Sequence, residues 1–322
     1  MKRLILISIM IIILGNIHAQ DCVIEQVTDR ILSCKCSYNE EHRSFYIISK
    51  SGMVLIDTYY FPWLTKESND LIYSKIGRKD YRYLINTHGH ACHVGGNYLF
   101  NDIPRIGHDS IVTNIRKTKD FHLKKYNQLK ESVKNDTSKI KELKDYEMLV
   151  NIPNPTKTFA DSMRLDLGDM TIKLIYFGYS GHSNDETLIF IPQEKTLIIG
   201  QIFGRSHFLP VVKGNCTQAD LQRKIAILSN FISSDLKHIL SNHQGEIAKS
   251  DFIFARDYLI DLSNDIKQLK IQGLSLDEIK KDFQLDKKYP ELAKRHEITD
   301  DLIANNNKNI DSIWDMINKN NP

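Results

Sequence analysis

Residues 83–97, Tyr-Leu-Ile-Asn-Thr-His-Gly-His-Ala-Cys-His-Val-Gly-Gly-Asn, constrain this chain more than any other stretch. An apolar run ending at Ile85 has strand character. It passes into a polar turn carrying His88, His90, Cys92 and His93, and Gly95 and Gly96 then break the chain again. Four potential ligands within six positions mark a metal site by density alone. Imidazole and thiolate suit a borderline ion such as Zn²⁺. Along an extended turn His88 and His90 point to one side while Cys92 and His93 diverge, so one short loop can serve two neighbouring ions. A histidine-rich surface loop is the bland alternative. The strand before and the glycine pair after argue against it.

The N-terminus sets the compartment. Met1-Lys2-Arg3 precedes the apolar stretch Leu4 to Leu14, and Ile17-His18-Ala19 ends in the small residue a signal peptidase requires. This predicts a secretory signal cleaved after Ala19 and a periplasmic or secreted protein. The apolar run is far short of the roughly 20 residues of a spanning helix, so stable membrane insertion is not expected. A lipid anchor on Cys22 is the alternative, although Ala19-Gln20-Asp21 lacks the small, apolar lead-in of a lipoprotein signal. Lys and Arg number 43 against 40 Asp and Glu, and loss of Lys2 and Arg3 leaves a formal charge of +1. Such a balance does not point to nucleic acid or to an anionic membrane. Export permits disulfides. With Cys92 set aside, Cys22, Cys34, Cys36 and Cys216 suffice for up to two bridges whose pairing the sequence leaves open. Cys34 and Cys36 share one face of a strand and are poor partners for each other.

Along the 322 residues, hydrophobic content of 41% and charged content of 26% are those of a globular protein. Short β segments are predicted at Val23–Val27, Arg30–Cys36, Phe45–Ile48 and Met53–Ile56. Asp57 follows the last of these and has two readings, a carboxylate that orients the metal loop from behind or a plain turn residue. Thr65 is predicted to cap a helix that ends at Gly77, leading into the strand Tyr83–Ile85. Ligands just beyond the carboxyl end of a strand lie where α/β sheets place their sites. Residues 111–149, rich in Lys and Glu, read as two helices broken near Asn135-Asp136-Thr137, either a lid or a solvated pair, with solvation the simpler expectation. Strands at Leu165–Leu167, Thr171–Phe177, Thr187–Ile191 and Thr196–Ile199 follow. His182 then sits on a glycine-flanked turn at a strand end, as His88 does, and the strand Ile239–Leu240 delivers His243. Beyond it, apolar residues from Phe252 to Leu269 step by three and four, Ser275 and Glu278 form a capping box, and Thr299 opens a last helix.

In order, strand-Asp57, His88-x-His90-x-Cys92-His93, Gly181-His182, Gly200-Gln201 and His243 resemble the metallo-β-lactamase fold superfamily over nearly the whole mature chain. The resemblance implies an α/β, four-layered αββα sandwich with two metal ions at one edge of the paired sheets. It divides the chain into a signal peptide 1–19, a metallo-β-lactamase-like domain 20–248 with a helical insertion at about 111–150, and a helical C-terminal extension 249–322 packed on the domain. His88, His90 and His182 match the ligands of the first metal; Cys92, His93 and His243 match those of the second. The family has Asp where this chain has Cys92, and many members have Asp where it has Gln201. Cys92 also has two other readings, a disulfide with Cys216 or a plain buried thiol. The implied activity is that of a secreted zinc-dependent hydrolase with one or two Zn²⁺. A metal-held hydroxide would attack an ester, lactone, thioester or β-lactam carbonyl of a small-molecule substrate. Cys92 and His243 are expected to act in the reaction through the second ion, which steadies the leaving group. A metal-binding member with little or no hydrolysis is the alternative. Iron-dependent redox chemistry ranks last, because both acidic positions are lost. Tyr59, Tyr60, Phe61 and Trp63 either overhang the site, as the family's loop often does, or pack the core.

Overall fold

A computed structural model describes residues 22–38, 40–179, 182–204, 208–212, 214 and 216–319. The expected signal segment 1–19 and Gly181 lie outside them. Among the described residues the strands form two sheets. The first runs β1 (Cys22–Thr28), β2 (Ile31–Tyr38), β3 (Glu40–Ser49), β4 (Gly52–Ile56), β5 (Tyr81–Ile85), β6 (Arg105–His108) and β7 (Lys157–Phe159) in chain order. The second comprises β8 (Ser162–Asp166), β9 (Thr171–Tyr176), β10 (Thr187–Ile191), β11 (Thr196–Ile198), β12 (His238–Ser241) and β13 (Gly245–Glu246), with β8 and β13 at its edges.

Strand alternation decides the layers. Phe45, Ile47, Val54, Ile56 and Ile85 of the first sheet meet Ile172, Leu174, Ile189, Ile191, Ile198 and Leu240 of the second in one inner core. Their neighbours turn outward: Tyr46, Leu55 and Leu84 pack under helix α1 (Pro62–Ile76). Leu188, Leu197 and Ile239 pack under helices from the second half of the chain. Strands buried on both faces read as continuous apolar runs, and each buried Leu or Ile contributes roughly 1.5–3 kcal/mol of transfer free energy. The result is the expected αββα sandwich.

Helix α1 begins earlier than predicted. Pro62 occupies its first turn, where a missing N–H costs nothing. Thr65 therefore lies inside the helix, its Oγ1 accepting from Tyr59 N–H at 3.1 Å. Gly77 closes the helix at φ 68°, as its sequence position suggested. Helix α2 (Ala91–Val94) carries Cys92 and His93, followed by a 3₁₀ turn at Gly95–Phe100. Helices α3 (Ile111–Ser132) and α4 (Ile140–Val150) form the insertion. They are more than a solvated pair: Ile111, Ile115, Leu149 and Ile152 pack against Phe61, Ala91 and Val94 beside the metal loop.

Helix α5 (Gln218–Ile232) starts with a Thr217–Asp220 capping box. It packs with α6 (Lys249–Ile271), α7 (Leu276–Asp282), α8 (Leu285–Lys288), α9 (Pro290–Arg295) and α10 (Asp300–Lys319) over the outer face of the second sheet. The Ser275–Glu278 capping box opens α7 as predicted. No helix among the described residues is long and apolar enough to cross a membrane.

Cys22 is bonded to Cys36, its register partner across β1 and β2. That bond engages the sulfur a lipid anchor would need. Cys34, Cys92 and Cys216 are buried thiols outside any disulfide, so Cys92 and Cys216 are not joined.

Candidate metal centre

Sheet topology brings the ligand candidates to one edge. Strands β4 and β5 are parallel, so Asp57 and the 86–94 segment leave the first sheet side by side. Strand β3 runs antiparallel to β4, with Phe45 opposite Ile56, which carries residues before Phe45 past the end of β4. In the second sheet the β9–β10 connection, the end of β11 and the end of β12 emerge at the same edge. A backbone bond from Thr187 N–H to Thr87 O (2.9 Å) ties the two sheets there.

Two clusters of donor side chains result. His88, His90 and His182 form one, and His42, Cys92, His93 and His243 the other; within each, the donor atoms lie no more than 4.8 Å apart. His88 and His93 join them, ring centroids 3.8 Å apart. All six ligand candidates named from the sequence are therefore gathered, His88, His90 and His182 in one cluster and Cys92, His93 and His243 in the other. His42 is a seventh that sequence reasoning missed. The expected strand began at Phe45, whereas β3 extends back to Glu40, where Glu40-Glu41-His42-Arg43 shows no apolar alternation. A single histidine in a charged stretch carries no ligand signal until its neighbours in space are known.

Hydrogen bonds fix which nitrogens face inward. Asp57, fully buried at φ 57°, accepts from Thr87 N–H (2.8 Å) on Oδ1 and from Thr87 Oγ1 (2.6 Å) and His93 Nδ1 (2.8 Å) on Oδ2. Because the Thr87 hydroxyl donates to Asp57, its oxygen is left to accept from His88 Nδ1 at 3.2 Å. Protons on both Nδ1 atoms leave the lone pairs on Nε2. His88 Nε2 and His93 Nε2 are buried with no hydrogen-bond partner among the described residues. Buried acceptors are seldom left so. Two orphaned lone pairs aimed into clusters of imidazole and thiol are what an ion such as Zn²⁺ requires, and the donor set fits it. His90 Nδ1 and His182 Nε2 converge at 2.8 Å. Asp57 thus takes the orienting role, one of its two sequence readings.

Burial holds His88 and His93 well below the usual histidine range, and the neighbouring imidazoles push them further down, so both rings are neutral near pH 7, the form a metal would require. Burial likewise raises Asp57 to about 7, against the opposing pull of the Thr87 bonds. Two more carboxylates, unforeseen from the sequence, brace the site. Asp185 Oδ2 accepts from Gly89 N–H at 2.8 Å, and Glu186 Oε1 accepts from Gln201 N–H at 2.9 Å and stands 3.7 Å from His88 Nδ1. Gln201, where many family members have Asp, is buried with its backbone held by Glu186.

The glycine pair is a packing requirement. A Cβ on Gly95 would lie 2.0 Å from Tyr60 O, and one on Gly96 would lie 2.0 Å from Thr65 Oγ1. The α2 turn therefore sits directly on the β4–α1 connection, and Thr58 N–H donates to His93 O at 2.9 Å.

A cavity of about 390 Å³ opens onto the first cluster, bounded by His90, His182, Cys92, Tyr60 and, from α3, Asn114, Lys117, Phe121 and His122. That volume is ordinary for a small-molecule site. Of the four aromatics with two sequence readings, Tyr60 lines this cavity, Tyr59 is buried beneath the second cluster, and Phe61 and Trp63 pack between α1 and the insertion. The insertion contributes a wall of the cavity.

A seven-stranded and a six-stranded sheet between helices, with clustered histidines at one shared edge, define an α/β sandwich with a candidate metal site. The metallo-beta-lactamase superfamily model matches residues 39–221, more than half the chain, and the protein belongs to that superfamily. Among solved structures it is similar to a metallo-beta-lactamase from Pontibacter korlensis, with TM-score 0.53 and 16% identity over 74% of this chain and 99% of that one. It also resembles VMB-1, with TM-score 0.54 and 15% identity over 75% of this chain and 98% of that one. TMB-1 gives TM-score 0.50 and 16% identity over 75% and 98%. No curated protein sequence matches.

Proposed function

We propose that the protein is an exported, zinc-dependent hydrolase that cleaves an ester, lactone, thioester or β-lactam in a small molecule. The observation that carries this reading is the three-imidazole cluster of His88, His90 and His182, of which His90 and His182 line an open cavity. Three protein ligands and an open place are the form of a catalytic zinc site; four are the form of a structural one. When bound there, Zn²⁺ supplies Lewis acidity toward a carbonyl and lowers the pKa of water from ~15.7 to about 7.

The chain's own residues do the rest. Thr87 and Glu186 hold His88 in its ligating tautomer, and Asp185 fixes the Gly89 backbone between His88 and His90. Asn114 reaches from α3 to Ser183 Oγ (3.1 Å) and Asn184 Oδ1 (2.7 Å), locking the insertion to the segment that bears His182. Tyr60 Oη, 3.2 Å from His122 Nε2, brings a hydroxyl to the cavity wall, and the exposed Lys117 brings a cation. A substrate carrying a carboxylate matches that wall. Export after Ala19 is supported by the Cys22–Cys36 disulfide, which suits an oxidising compartment. We place the domain boundary near residue 248, before α6, with the C-terminal helices as an extension packed on the second sheet.

The test uses chain starting at Gln20 and produced in a periplasm. Metal per chain and hydrolysis of ester, thioester, lactone and β-lactam panels are measured for wild type, His88→Ala and His182→Ala. Bound zinc with turnover that both variants lose supports the reading. Bound zinc with no turnover on any panel makes the protein a metal-binding member without hydrolysis. No bound metal refutes both.

A further inference from the structure

We propose that His42 is a fourth protein ligand of the second metal position, so that His42, Cys92, His93 and His243 form a closed site whose ion is structural. The inference rests on the metal-centre reading above and revises the part Cys92 and His243 play in it: they hold an ion whose four ligand places are all taken by protein side chains, although Cys92 also borders the cavity.

Placement is the first argument. The donor atoms of the four side chains lie within 4.8 Å of one another, and the four residues are 0–8% exposed. The His42 ring stands edge-on to those of His93 (4.5 Å) and His243 (5.1 Å), with Tyr59 closing a further side at 5.5 Å.

His42 is held there by its neighbours. Arg43 N–H donates to Asn242 O at 2.8 Å, Asn242 Nδ2 donates back to Arg43 O at 2.6 Å, and Arg43 Nη1 donates to His243 O at 3.2 Å. Residues 42–43 and 242–243, two hundred positions apart, are thus zipped together across the two sheets. The contacts that position His243 position His42 as well.

Ligand chemistry is the second argument. One thiolate and three neutral imidazoles form a four-donor N/S set, which zinc uses in tetrahedral structural sites with no open place. A thiolate at position 92 suits that role. Its single sulfur cannot bind an ion and hold a second group as the two oxygens of a carboxylate can, and a closed site asks for no second group. Position 201 is consistent, since its side chain is a neutral amide. The two clusters then differ in kind: His88, His90 and His182 leave a ligand place facing the cavity, whereas His42 fills the place at the other cluster from the sheet side.

Mature protein is stripped of metal and titrated with Co²⁺, whose visible bands report coordination number and whose near-ultraviolet charge-transfer band reports a thiolate ligand. Wild type is expected to take two Co²⁺ per chain. One should carry the thiolate band with intense tetrahedral bands and leave slowly to a chelator. His42→Gln should weaken the tetrahedral bands and release the thiolate-bound ion roughly tenfold faster or more, leaving the other ion in place. His88→Ala should do the reverse. Should His42→Gln fail to fold by circular dichroism, the wild-type spectrum still decides, because weak five- or six-coordinate bands on the thiolate-bound ion would overturn the proposal. A folded His42→Gln with unchanged spectrum and release rate would overturn it too, leaving the hydrolase reading intact. Wild type that takes no metal would end both.

Discussion

Replacing Asp57 by Asn perturbs the metal centre without touching a ligand. The residue sits at φ 57°, where Asn is tolerated as well as Asp, so the backbone keeps its course. The amide oxygen can still accept from Thr87 N–H, but the new NH₂ meets His93 Nδ1, which donates to Asp57 Oδ2 at 2.8 Å. Two donors cannot face each other. For them to pair, the imidazole proton must move to Nε2, the buried atom otherwise free to ligate. Either the two donors stay unpaired or the moved proton lies on a buried Nε2 with no partner, and one buried polar group left unsatisfied costs about 1–3 kcal/mol of stability. The low end applies to the metal-free protein, because burial already lifts the Asp57 carboxyl to about 7 and leaves it partly protonated. Metal affinity falls further: loss of such an orienting partner costs roughly 10–100-fold, or about 1.4–2.7 kcal/mol. Chelator competition on wild type and Asp57→Asn, followed ion by ion, measures this. The ion bound through His93 should weaken and the other should not. Affinities within about threefold for both ions, where 10–100-fold is expected, would refute the argument that Asp57 sets the His93 tautomer.

Gly95→Ala places a methyl 2.0 Å from Tyr60 O and 2.8 Å from Tyr59 O, and should cost about 3 kcal/mol or more, read as a lowered Tm together with loss of bound metal. The Cys22–Cys36 bridge closes a separation of 14 residues, worth about 3 kcal/mol on the chain-entropy model; the Cys22→Ser/Cys36→Ser double variant should melt lower by roughly 2–4 °C per kcal/mol while binding metal like wild type. Protons and metal compete for the same imidazole lone pairs. With the folded His88 and His93 held well below 6.5, protonation cannot displace metal as pH falls through 6.5 but only below it. Zinc should therefore stay bound in stepped dialysis to pH 6, and release centred at or above 6.5 would contradict that sign.

The run from Tyr83 to Asn97 sufficed to locate the candidate metal centre, because donor side chains adjacent in sequence are adjacent in space whatever the rest of the chain does. Periodicity made the strands around it legible, as apolar runs buried on both faces, and the capping box at Ser275 and the helix stop at Gly77 were local chemistry that survived folding. Thr65 misled because Pro62 is the stronger start signal. The insertion misled because its few apolar residues, Ile111, Ile115 and Leu149, are the ones that pack, and a charge-rich average hides them. His42 could come only from tertiary structure. Its strand is held to its length by bonds from Arg43 to Asn242, a partnership across two sheets that no local pattern encodes. Local sequence chose the ligand types and the strand that carries them. Sheet pairing decided how many donors meet at each position, because the distance between His42 and His243 depends on registers set far from either residue.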